Sequence, residues 1–163
     1  MTNFLFIIFA FLALFLVRNV VYNKKAVASQ HHDLYELHLS RLDEYAKELE
    51  CEIDNRNFSV TDTKDGILIG VSKKKKLIII SYIDQLFHFH FREYEKCEFF
   101  FDTPENNRFY EKSYIKITLK EKEPIVLTTG FNRRRKKGFI GDMLVKNGQH
   151  VCSFISGSIG KKG

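Results

Sequence analysis

The spacing of apolar and polar positions changes twice along the chain. From Phe4 to Val17 fourteen consecutive residues are apolar, and Val20, Val21 and Tyr22 extend the run beyond Arg18, whose long side chain can reach the head-group layer. Roughly 20 apolar residues in a helix cross a bilayer core of about 30 Å, so the pattern predicts a single-pass transmembrane anchor over residues 1–24. Arg18, Lys24 and Lys25 all follow the run, which orients the N-terminus outward and the rest of the chain to the cytoplasmic side of the cell (inner) membrane. A cleaved signal peptide is the alternative, because Ala26-Val27-Ala28 ahead of Ser29 has small-x-small form. The lack of Lys or Arg before the apolar run argues against it.

Between Ser29 and Glu50 the period becomes helical. Tyr35, His38, Leu42, Tyr45 and Leu49 recur at three- and four-residue steps, with Leu34 and Leu37 alongside and neither Pro nor Gly in the stretch. This predicts an amphipathic juxtamembrane helix over 29–52, started by Ser29 or Asp33 as cap. About three heptads are short for a free coiled coil, so the helix is expected to pack on the following domain.

From Phe58 the period falls to that of β-strands. Short runs at Phe58–Thr61, Ile67–Val71, Leu77–Ile83, Leu86–Phe91, Glu98–Phe101, Tyr114–Lys120 and Ile125–Thr129 are divided by Lys64-Asp65-Gly66, by four lysines, and by a loop over Asp102–Arg108. In the last run but one, Ile115, Ile117 and Leu119 alternate with Lys116, Thr118 and Lys120, as in a sheet with one solvated face. Near the end, Ile140, Leu144, Val151 and Ile155 suit a closing helix while Asn147-Gly148 suits a hairpin; the helix is the preferred reading. The fold class expected is thus an N-terminal transmembrane helix plus an α+β, mainly antiparallel β soluble domain over 56–156, with a flexible tail at 157–163.

Composition adds that this domain can build a core. The chain is 44% apolar with 16 Phe and 7 Tyr against two Pro, which is incompatible with a disordered segment of this size. Cys51, Cys97 and Cys152 are odd in number, far apart and without Cys-x-x-Cys spacing, so they are expected to be buried free thiols in a reducing compartment. A net charge of +6 predicts acidic company.

One stretch carries a resemblance. Leu77-Ile-Ile-Ile-Ser-Tyr-Ile-Asp-Gln-Leu-Phe-His-Phe-His-Phe91 resembles the strand, Tyr-x-Asp-hydrophobic turn and following strand of bacterial membrane-tethered pleckstrin-homology-like domains. Tyr114–Leu119 followed by Pro124–Leu127 is similar to their paired late strands, and the likeness covers about residues 56–156. It implies a β-sandwich or barrel with a C-terminal helix that binds lipid head groups or peptides, and it brings no catalytic motif with it.

Candidate chemistry lies mainly in two basic runs. Lys73, Lys74, Lys75 and Lys76 fall at a hairpin, which displays four ammonium groups together, and Arg133, Arg134, Arg135, Lys136 and Lys137 form a second cluster. Both suit phosphates or an anionic leaflet, where each basic residue is worth about 1 kcal/mol. Their bland reading is a pair of solvated turns that guard the flanking apolar strands against aggregation. His88 and His90, two apart on a strand, share a face and could begin a metal site with Cys97, Glu93 or Asp84 as third ligand. His31-His32 is a weaker pair. No nucleophile elbow, phosphate-binding glycine loop or His-Glu-x-x-His is present, so catalysis is disfavoured and no cofactor is expected. The resulting expectation is a membrane-anchored binding or adaptor protein whose basic turns dock anionic lipid or an acidic protein partner. A small metal-dependent effector or enzyme at His88 and His90 is the alternative, and nucleic-acid binding a third reading. The sequence leaves pathway, specific partner and oligomeric state open.

Overall fold

The computed structural model describes residues 29–63 and 65–160. The chain divides into two compact units, Met1–Leu34 and Tyr35–Gly163. Of the first, the described residues 29–34 are helical, and the helix, α1, runs over 29–48. The second unit holds the β-rich fold.

Sheet A is a four-stranded antiparallel meander in the order β1 (Asn55–Val60), β2 (Gly66–Ser72), β3 (Leu77–Tyr82) and β4 (Gln85–His90). Sheet B joins β5 (Tyr94–Phe101), β7 (Ser113–Leu119) and β8 (Lys122–Gly130). Two short strands, β6 (Phe109–Tyr110) and β9 (Arg134–Arg135), pair with each other, and helix α2 (Phe139–Ile159) ends the described chain.

Every residue of β2 and β3 is buried, although only the apolar run of β3 hints at this in sequence. The reason is that both faces of sheet A are covered. Ile67, Ile69, Val71, Ile78, Ile80 and Phe89 face a core shared with Ile115, Ile117 and Leu127 of sheet B and with Val151 and Ile155 of α2. On the opposite face Leu68, Leu77 and Ile79 pack against Leu42 and Ala46 of α1. Each fully buried aliphatic side chain of this kind contributes about 1.5–3 kcal/mol. Gly70 makes the approach of α1 possible, since a Cβ there would stand 2.9 Å from Leu42 Cδ2.

Polar contacts fix the helix in register. His38, 1% exposed, shares a 2.8 Å hydrogen bond with Ser81 through Nδ1. Arg41 donates to the Ile83 carbonyl at 2.5 Å and to Asp84 Oδ1 at 3.0 Å, so it closes the β3–β4 turn, where Ile83 has φ 51°. Burial, and next the Arg41 guanidinium, hold the His38 imidazole below its ordinary value, against the opposing pull of Asp65 and Asp84.

Helix α2 follows the helical reading of its segment. Gly141, Leu144, Gly148, Val151 and Ile155 form its buried stripe at three- and four-residue steps. The Asn147-Gly148 pair makes no turn. Gly148 is there for space, because a Cβ would lie 2.2 Å from Phe99 Cδ2 on β5.

Four expectations are corrected. The fold is a mostly antiparallel β domain with two helices, and no helix among the described residues is long and apolar enough to cross a membrane. Helix α1 carries charges on its outer face, and α2 has Asp142, Lys146 and His150 on its own, so both are amphipathic. The expected single-pass anchor over Phe4–Tyr22, with the residues 1–24 assigned to it, lies outside the described residues, and the membrane reading that grew from it is set aside. The cysteines are not all free: Cys97 on β5 and Cys152 on α2 form a disulfide with Cα atoms 5.1 Å apart, leaving Cys51 as the thiol. Spacing hid this pair because 55 residues separate its members and only folding brings them together. Finally, the tail expected from residue 157 is still helical to Ile159, where Gly160 caps the helix at φ 76°.

Candidate anion-binding cleft

The four lysines occupy the β2–β3 turn as the pattern predicts. Lys76 donates its backbone N–H to the Lys73 carbonyl at 3.2 Å and takes φ 50°, which closes the turn, and Asp54 Oδ2 accepts the Lys73 N–H at 2.6 Å. All four side chains are exposed, with no ion pair to them among the described residues. None of the four lysines lines the cleft described below.

The second run is built differently. Strand β9 pairs with β6 so that Arg135 lies opposite Phe109 and Arg134 opposite Tyr110. Side chains directly across an antiparallel pair are close enough to interact, and here the Arg135 and Arg133 guanidinium carbons stand 5.7 and 5.4 Å from the centre of the Phe109 ring. Arg133 also meets Glu111 at 3.4 Å. Arg134 turns toward Asp62, 4.0 Å away, whose fully buried carboxylate also accepts the Phe131 N–H at 2.9 Å. Beside it the buried Tyr110 hydroxyl has no hydrogen-bond partner among the described residues, and burial, followed by the Asp62 charge, pushes that phenol up. Lys136 is committed to the neighbouring loop, donating through Nζ to the Thr103 carbonyl at 2.9 Å and to that of Pro104.

That loop forms the other wall. Asn107 donates its backbone N–H to the Pro104 carbonyl at 3.0 Å, its Oδ1 accepts the Phe109 N–H at 3.0 Å, and Lys136 donates its N–H to the Arg108 carbonyl at 3.0 Å. The result is a cleft of about 470 Å³ lined by Glu105, Asn106, Asn107, Arg108 and Phe109 on one side and Arg135, Lys136 and Lys137 on the other. Four cations face one carboxylate, and an aromatic ring forms part of the wall.

The structure therefore separates the five predicted residues by task. Arg133 and Arg134 engage Glu111, the Phe109 ring and Asp62 away from the cleft, Lys136 lines the cleft while its Nζ is held by the Thr103 and Pro104 carbonyls, and Arg135 and Lys137 line it without such a tie to the loop. Sequence reasoning missed Arg108, Phe109 and Asn106 because a two-residue strand pairing has no periodicity to detect. The loop signature of Pro104 and two Asn was the only pointer.

His88 and His90 sit together on the α1 side of β4, opposite Ile79 and Leu77. His88 shares a 2.8 Å hydrogen bond with the Tyr45 hydroxyl. The third ligands considered for them are engaged elsewhere: Cys97 in the disulfide, Asp84 with Arg41 at 3.0 Å, and Glu93 with Lys122 at 2.7 Å. Among the described residues no group of three or more His, Cys, Asp or Glu is placed to hold a metal ion. His31 and His32 are exposed on the first turns of the described helix.

Comparison with protein-family models, with curated proteins and with solved structures finds no match to the chain.

Proposed function

We propose that the protein is a binding module for an anionic partner, with the cleft between residues 103–108 and β9 as its recognition site. The observation that carries this reading is the enclosure of Arg108, Arg135 and Lys137 around one space beside a single carboxylate. Cations gathered in a concave site focus the field and bind more than the same charges spread over an exposed turn. The exposed lysines of the β2–β3 turn add long-range attraction that speeds encounter.

Retention on a polyanionic resin such as immobilised polyphosphate tests this. The full chain should elute at well above physiological salt, and R135Q/K137Q should elute earlier than K73Q/K75Q although both remove two charges. Equal shifts from the two double variants would show that net charge alone holds the protein, and the cleft would lose its role.

A further inference from the structure

Resting on that reading, we infer that the cleft is a nucleoside-phosphate site, with Arg135, Lys137 and Arg108 on the phosphate and the Phe109 ring beside the base. Two features select this chemistry from anions in general. The first is the preparation of Arg135. Its guanidinium lies 5.7 Å from the centre of the Phe109 ring, directly across the β6–β9 pair. An arginine held by stacking keeps its N–H edge free, and that planar fork matches two phosphate oxygens with little further ordering. The exposed lysines of the β2–β3 turn have no such aromatic neighbour among the described residues.

The second feature is the aromatic wall. Phe109 is 36% exposed although its ring is large and apolar, and the part left open faces the same space as the cations. Bases stack on aromatic rings and on guanidinium planes, and Phe109 with its two arginines offers both within one site. The neighbouring Asn106 amide, which can donate and accept, suits the polar edge of a base. An acidic peptide would use the cations and leave the ring idle. The volume of about 470 Å³ is that of a pocket for one small ligand.

The same chemistry could arrive as a free nucleotide or as one unit of a single strand, and calorimetric titration of the full chain separates the sources. Adenosine monophosphate should bind about tenfold tighter than inorganic phosphate, the gain expected from stacking one base. F109L should remove that advantage while phosphate still binds, and R135Q should weaken both ligands, with R135K restoring part of the loss. Thermal unfolding of each variant checks that it is folded. If oligothymidylate binds better than the mononucleotide and the same variants abolish it, the inference stands with a nucleic-acid strand as source. If phosphate, polyglutamate or anionic phosphatidylserine vesicles bind as well as the nucleotide and F109L changes nothing, the inference falls while the anion-binding reading survives. If no anion binds, both fall.

Discussion

His38 is the residue where charge and packing meet most directly. Its ring is sealed under α1 against Ser81, and burial lowers its proton affinity below the ordinary value of 6.5. The unfolded chain therefore takes up this proton at a higher pH than the folded one does. Stability from the neutral ring is complete above 6.5, declines as pH falls below it, and stops declining once pH is under the depressed folded value. Urea midpoints measured from pH 8 to pH 5 should thus drop on the acid side, and H38Q should flatten that drop. A slope unchanged in H38Q would assign the acid sensitivity to other histidines. Asp62 has a structural role: its buried carboxylate accepts the Phe131 N–H at 2.9 Å and stands 4.0 Å from the Arg134 guanidinium, which ties the β1–β2 turn to the segment that presents Arg135.

At the scale of elements, the close contact of α2 with β5 is the most restrictive. A methyl group at 148 meets the Phe99 ring 2.2 Å away, so Gly148→Ala should cost about 1–3 kcal/mol by overpacking even though alanine favours helices. In the background of Phe99→Leu the cost should shrink, and chemical denaturation of the two single variants and the double measures that coupling; additive losses would place the strain elsewhere. The helical periods of 29–48 and 139–159 and the runs of sheet A were legible because they span several turns or residues of regular pattern. The strands β6 and β9 were not, since two residues carry no period, and with them went the wall of the cleft. The lysine turn was read correctly in place, whereas the division of labour within Arg133–Lys137 depends on Glu111, Asp62 and Thr103, which are distant in sequence.

For the whole molecule, the disulfide is a cross-link that ties strand β5 of sheet B to α2. Closing a loop of 55 residues restricts the unfolded chain, and bonds of this kind stabilise by about 2–4 kcal/mol. Thermal unfolding with and without reductant should show a lower midpoint for the reduced protein, and C51A should leave that difference intact. Identical midpoints would mean that the bond adds nothing to the packing around it.

The same separation sets an order of assembly as the chain leaves the ribosome. Helix α1 and the four consecutive hairpin strands of sheet A are complete by His90, and α1 covers one apolar face of that sheet before any of sheet B has emerged. Cys97 emerges next and must wait for Cys152, which arrives only with the final helix. The covalent bond is thus a latch that can close only after the strands of both sheets have been made.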